Sequence, residues 1–114
     1  MPMRIIEQPI TRAELGEIAA DSFGDLVKAV VDVVRGSMAI GGELHSDEES
    51  LLLASGSAQE DIWGINLYPA IADESWIEFD SMINVRPSMG NRSRGVEDEQ
   101  TRMKIIRIVK ELVR

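Results

Sequence analysis

The 114-residue chain has no cysteine, one histidine, few aromatic residues and no long apolar run. Each shortage removes a class of protein. Without thiols there is neither a disulfide framework nor a thiolate metal site, and thiol usage gives no clue to the redox compartment. One histidine is too few for a zinc centre of the usual kind, which takes three or four nitrogen or sulfur ligands. Oxygen-only magnesium or calcium binding stays open, but the acidic runs lack the spacing and central glycine of an EF-hand loop and read as solvated surface; the expectation is no metal and no cofactor. Charge interrupts every apolar run well short of the roughly 20 residues that a membrane span needs. Glu7 and Pro9 break the start MPMRIIEQP before it could serve as a signal peptide. The expectation is a soluble cytoplasmic protein.

Basic residues are also scarce. Twelve Lys and Arg stand against 20 Asp and Glu, for a formal charge of −8 and a pI near 4.6. Phosphate neutralisation requires a basic surface, so no nucleic-acid or membrane partner is expected. The bias is uneven, however. Glu43 to Glu60 and Asp73 to Asp80 are acidic, whereas Arg86 to Arg94 carries three arginines and no carboxylate. A local site for an anionic small molecule fits that segment.

With 44% hydrophobic residues the chain suits a single α+β domain over residues 1–114. Met3 to Glu7 predicts an edge strand ended by Pro9. Thr11 and Glu14 form a capping box, Ile10 and Leu15 a hydrophobic staple, and the repeat through Phe23 predicts a helix from Arg12 to Phe23, closed by Gly24. From Val27 the period is two. A two-residue turn at Arg35-Gly36 would set Val33 against Met38 and Val31 against Ile40, and Gly41-Gly42 would end the second strand. Ser46 and Glu49 suggest a second capping box on a short helix closed by Gly56.

A strand from Ile62 to Tyr68, a turn over Pro69 to Ser75 and a long strand from Trp76 to Arg86 predict a second hairpin. Leu67 would oppose Ile77, Ile65 would oppose Phe79, and Ile83 and Val85 would extend the apolar face. The other face carries Asn66, Glu78, Asp80, Asn84 and Arg86: Asp80, Glu78 and Asn66 could line a cleft for acid-base work, and the preferred reading is the ordinary wet side of the sheet. A helix over Asp98 to Val113 carries a broad apolar stripe. The expected architecture is one antiparallel sheet of four to five strands built from two β-hairpins. The N-terminal and C-terminal helices pack on one face, with a short helix between the hairpins.

No motif fixes a reaction, and whether the chain is an enzyme stays open. Gly90 to Gly95 has the glycine separation of a phosphate-cradling loop, but Val96-Glu97 stands where that motif needs Lys and Ser or Thr. Two readings remain for the arginines. Arg86, Arg92 and Arg94 could grip a carboxylate or phosphate with Asn91 shaping the site, or they could pair with the domain's own acids and fix the loop. Asn91 could equally hold a left-handed turn. His45 titrates near neutral pH and is the best candidate for proton transfer, with Asp61 or Asp80 as its carboxylate. Trp63 and Trp76 bracket the second hairpin and read as core or rim.

Three strings, GGELH at Gly41 to His45, QEDIWGINLYP at Gln59 to Pro69 and WIEFDSMINVRPSMGNRSRGVED at Trp76 to Asp98, resemble a family of short prokaryotic proteins catalogued as a domain of unknown function. The likeness covers nearly the whole chain and is most distinctive in INVRPSMGNRSR. It implies a small stand-alone cytoplasmic domain with no assigned reaction, so it transfers no catalytic residue. Three functions are therefore carried forward. The first is binding of an anionic or polar small molecule where the Arg86 to Arg94 loop approaches His45. The second is homodimerisation or protein interaction through a sheet edge or the last helix. The third is a hydrolase or phosphotransfer enzyme using His45.

Overall fold

A computed structural model describes residues 3–114. One antiparallel sheet carries five strands in the order β1-β3-β2-β4-β5: β1 Arg4–Ile6, β2 Val27–Asp32, β3 Ser37–Ile40, β4 Ile62–Leu67 and β5 Ile77–Glu78. The helices are α1 Arg12–Ala20, α2 His45–Ala54 and α3 Glu99–Leu112. Leu15, Ile18 and Ala19 of α1 join Ile105, Ile108, Val109 and Leu112 of α3 in one core cluster against Val27, Ala29, Val31, Met38, Ile40, Ile65 and Leu67 of the sheet. Burying each large aliphatic side chain contributes about 1.5–3 kcal/mol.

The sheet's other face is not wet. Leu52 of α2 covers Val30, Ala39 and Ile62 in a second buried cluster. The two chain ends are tied together as well: the Ile10 amide donates to the Leu112 carbonyl at 2.8 Å, and the Arg114 amide donates to the Ile10 carbonyl at 2.9 Å.

Several local expectations need correction. Helix α1 starts as predicted, with Thr11 Oγ1 accepting from the Glu14 amide at 3.0 Å, but it ends at Ala20. The Gly24 amide returns to the Ala19 carbonyl at 2.7 Å, and Phe23 is left 45% exposed. The first hairpin pairs Val31 with Met38 and Ala29 with Ile40, two residues away from the expected register. Its loop is Val33 to Gly36, because Asp32 Oδ1 accepts from the Val34 and Arg35 amides, both at 2.9 Å, and turns the chain earlier. A shift of two preserves which side chains face the core. Helix α2 begins at His45 after Leu44, with no side-chain cap, so the Ser46–Glu49 box does not form.

The largest departure concerns the strand expected over Trp76 to Arg86. Leu67 does oppose Ile77, but pairing ends at Glu78, and the chain continues as short 3-10 turns at Met82–Asn84 and Pro87–Met89. Ile83 packs with the α2-side cluster instead of extending the α1–α3 face. The cause is a side chain. Asn84, fully buried, accepts from the Gly64 amide at 2.9 Å and donates to the Gly64 carbonyl at 2.9 Å, satisfying the edge of β4 where a strand would otherwise lie. Arg86 serves the start of the same strand by donating to the Ile62 carbonyl at 2.7 Å.

Candidate functional site

The arginines of the Arg86 to Arg94 segment do not converge. Arg86 stacks over Trp63, 4.1 Å from the ring centroid, and donates to the carbonyls of Gln59 at 2.6 Å and Ile62 at 2.7 Å. Burial lowers its pKa from the usual arginine value. It is a strut. The Asn91 amide nitrogen is spent in the same way, on the carbonyls of Asn84 at 2.7 Å, Gly95 at 2.8 Å and Ser93 at 3.2 Å, while its oxygen accepts from the Glu97 amide at 2.9 Å. The left-handed residue here is Gly90, with φ +82°, and not Asn91. Arg92 is exposed, and among the described residues its guanidinium has no hydrogen-bond or ion-pair partner.

Where a phosphate-cradling loop would present its amides to a ligand, this loop presents them to its own side chain. Glu97 Oε2 accepts from the Arg92 amide at 2.8 Å and the Ser93 amide at 2.7 Å. Hydrogen bonds from Ser93 and these two amides hold the Glu97 carboxyl below its ordinary pKa. The anion place in the loop is already filled.

Arg94 differs. Its Nε donates to Asp80 Oδ1, leaving both terminal nitrogens without a partner among the described residues. The Arg94–Asp80 pair lies close enough to His45 for each partner to bias the imidazole, and Lys28 does so too. His45 opens α2, and its Nε2 lies 2.8 Å from the Ile65 carbonyl. A carbonyl only accepts, so Nε2 carries the proton and Nδ1 is the bare nitrogen. Burial is the largest influence on the ring and lowers its pKa; the Ile65 bond and Asp80 oppose this, and Lys28 and Arg94 add to it. His45 is therefore a neutral base at pH 7.

Asn66 sits opposite Lys28 in the β2–β4 pairing. Its amide nitrogen donates to Glu78 Oε1 at 2.9 Å and to the Asp80 carbonyl at 3.2 Å, while its Oδ1 is buried with no partner. Asp61, the other carboxylate expected near His45, lies elsewhere. It precedes β4, four residues before Ile65 and roughly 13 Å along the strand, where Glu60 and Asp32 add to the effect of desolvation and raise its pKa.

Two residues of consequence were missed in the sequence. Asn84 gives no local signal beyond an ordinary polar position. Glu48 looks like a first-turn acid of α2, yet it is fully buried: Oε2 accepts from the Gly42 amide at 2.9 Å and Oε1 has no partner. Burial pushes its pKa up to about 9, so it is a neutral acid at pH 7. The signal available was the i, i+4 spacing of Glu48 with Leu52, which puts both on the sheet-facing side of the helix.

Fold and site together define a small α+β domain with an open five-stranded sheet, a helix pair on one face and a polar cluster beside the helix on the other. The chain belongs to the family described as "Protein of unknown function (DUF5674)", whose sequence model covers residues 4–112. No curated protein matches the chain, and no solved structure matches it. Among the described residues no helix is long and apolar enough to cross a membrane.

Proposed function

We propose that this protein binds a small polar anion at the β4–β5 end of the sheet, between Arg94 and His45. The observation that carries the reading is the meeting of unspent donors and acceptors there. Arg94 has two free terminal nitrogens beside Asp80, and Asn66 Oδ1 is buried without a partner next to Lys28. Arg94 and Lys28 supply charge for a carboxylate or phosphate. His45 Nδ1 and Asn66 Oδ1 accept from a hydroxyl or amine on the same molecule. Asp80 orients Arg94, while Arg86 and Asn91 shape the loop without touching the ligand. Arg92 stands outside this cluster. If the bound molecule is a substrate, neutral His45 is the base at hand.

The single histidine makes the test direct. Long-range ¹H–¹⁵N spectra report one imidazole, titrated in turn with phosphate, acetate and lactate. The expected result is a saturable shift of the His45 ring at concentrations on the order of 1 mM, strongest for lactate and lost in Arg94→Ala. A ring unmoved by all three anions, in a protein that remains folded, removes the proposal.

A further inference from the structure

Three side chains form a row across the sheet, on the face that carries Val30 and α2. Lys28 of β2 stands opposite Asn66 of β4, and Asn66 stands opposite Glu78 of β5. Neighbouring strands lie about 4.8 Å apart, so the cation and the carboxylate leave the backbone roughly 10 Å from each other, with the amide between them. They do not pair. The Lys28 ammonium lies over the exposed ring of Phe23, 5.2 Å from its centroid, and neither Lys28 nor Glu78 has an ion-pair partner among the described residues. The middle of the row is incomplete too. Asn66 is only 8% exposed, and its amide nitrogen is held by Glu78 Oε1 and the Asp80 carbonyl, so Oδ1 stays a buried acceptor without a donor although a lysine stands opposite. Glu78 Oε1 also accepts from the Tyr68 hydroxyl at 3.2 Å, which leaves Oε2 unspent among the described residues.

We infer that the molecule bound at this end of the sheet is an amino acid, whose carboxylate is the anion held by Arg94 and Lys28 and whose ammonium donates to Asn66 Oδ1 and Glu78 Oε2. The assignment rests on the anion-binding reading proposed for this site and adds the ammonium. Charge selects it. Lys28 and Arg94 are balanced by Glu78 and Asp80, so a zwitterion complements the cluster at both ends, whereas a simple anion leaves Glu78 without a counter-charge. Hydrogen-bond capacity selects it again. A hydroxyl has one hydrogen to give, but an ammonium has three, which matches the three acceptors present: Asn66 Oδ1, Glu78 Oε2 and the bare Nδ1 of His45. The long side chains of Lys28 and Glu78 part to admit the ligand to the buried oxygen. Glu78 then sets specificity, because its charge tells an ammonium from a hydroxyl while Arg94 and Lys28 hold the carboxylate common to both.

L-Lactate and L-alanine differ only in that one carries a hydroxyl where the other carries an ammonium, so the pair isolates the claim. The His45 ring resonances of the full chain are followed at neutral pH during titration with each, and with propionate, which has no donor at that position. Alanine is expected to half-saturate the shift at about one tenth of the lactate concentration, with propionate weakest. Glu78→Gln keeps an oxygen for Asn66 and Tyr68 but removes the charge. It is expected to bring alanine to within about twofold of lactate, with the backbone amide spectrum as the folding control. Lactate bound as tightly as alanine, or more tightly, overturns the amino-acid assignment and leaves the anion site standing. An alanine preference that survives Glu78→Gln overturns it as well. A ring that responds to none of the three compounds ends both readings.

Discussion

Asn84 and Gly64 exchange two hydrogen bonds, each 2.9 Å long, so that one side-chain amide stands in for the backbone of a missing neighbouring strand. The same amide nitrogen reaches the Arg94 carbonyl at 2.9 Å, linking the sheet edge to the loop that carries the candidate site. Only a residue with both a donor and an acceptor, at that reach, fits. A Cβ on Gly64 would lie 2.6 Å from both Cβ and Oγ of Ser81, so the strap also needs glycine opposite it.

Replacing Asn84 with Ala therefore strands the buried amide and carbonyl of Gly64. The expected loss is about 2–4 kcal/mol, read from urea unfolding. Gly64→Ala, which forces Ser81 outward, should cost about 1–3 kcal/mol. An unchanged midpoint in Asn84→Ala would mean that the strap does not hold the edge.

Arg86 spans two carbonyls and a tryptophan face at once, a geometry suited to a planar guanidinium. Arg86→Lys should lose nearly as much stability as Arg86→Ala, about 2 kcal/mol, because an ammonium cannot reproduce the fork. Guanidinium chloride titrations of the two variants make the comparison. Full recovery in the lysine variant would show that charge alone matters there.

Glu48 gives the protein a pH dependence of definite sign. The folded chain keeps its proton up to about pH 9, whereas the unfolded chain releases it near the ordinary carboxylate value. Stability from this group is thus complete in acid and declines as pH rises between those limits, by at most ~1.4 kcal/mol per pH unit. Glu48→Gln, neutral at every pH, should match the wild type near pH 4.5 and exceed it increasingly toward pH 9. Parallel unfolding curves for the two proteins across that range would show that Glu48 is ionised in the fold.

Where residue spacing alone determined the outcome, the sequence was legible. The Thr11 cap, the stripe of α3, the period-two run of β2 and the Leu67–Ile77 contact all appear as expected. Long-range side-chain-to-backbone bonds were not legible. Asp32 moved the first turn, and Asn84 stopped the fifth strand, each by satisfying backbone groups that periodicity assigns to a ladder. The geometry of the candidate site was hidden for a related reason. Arginines close in sequence diverge in an irregular loop, where no period fixes side-chain direction, so Arg86 and Arg94 end on different parts of β4's flank. Which of the three arginines, and which of the two carboxylates, lies toward His45 followed only from the strand pairing.

The side chains of Asn84 and Arg86 also govern what the molecule refuses. A sheet margin with unclaimed amides and carbonyls invites a foreign chain to lie down beside it, which is how fibrils begin. Here that margin is plugged at Ile62 and Gly64 by groups that cannot template a strand. The opposite border, β1, offers three residues beginning with a charged arginine. Protection against fibril growth is thus built unequally into the two borders, and loss of Asn84 would open the better-guarded one.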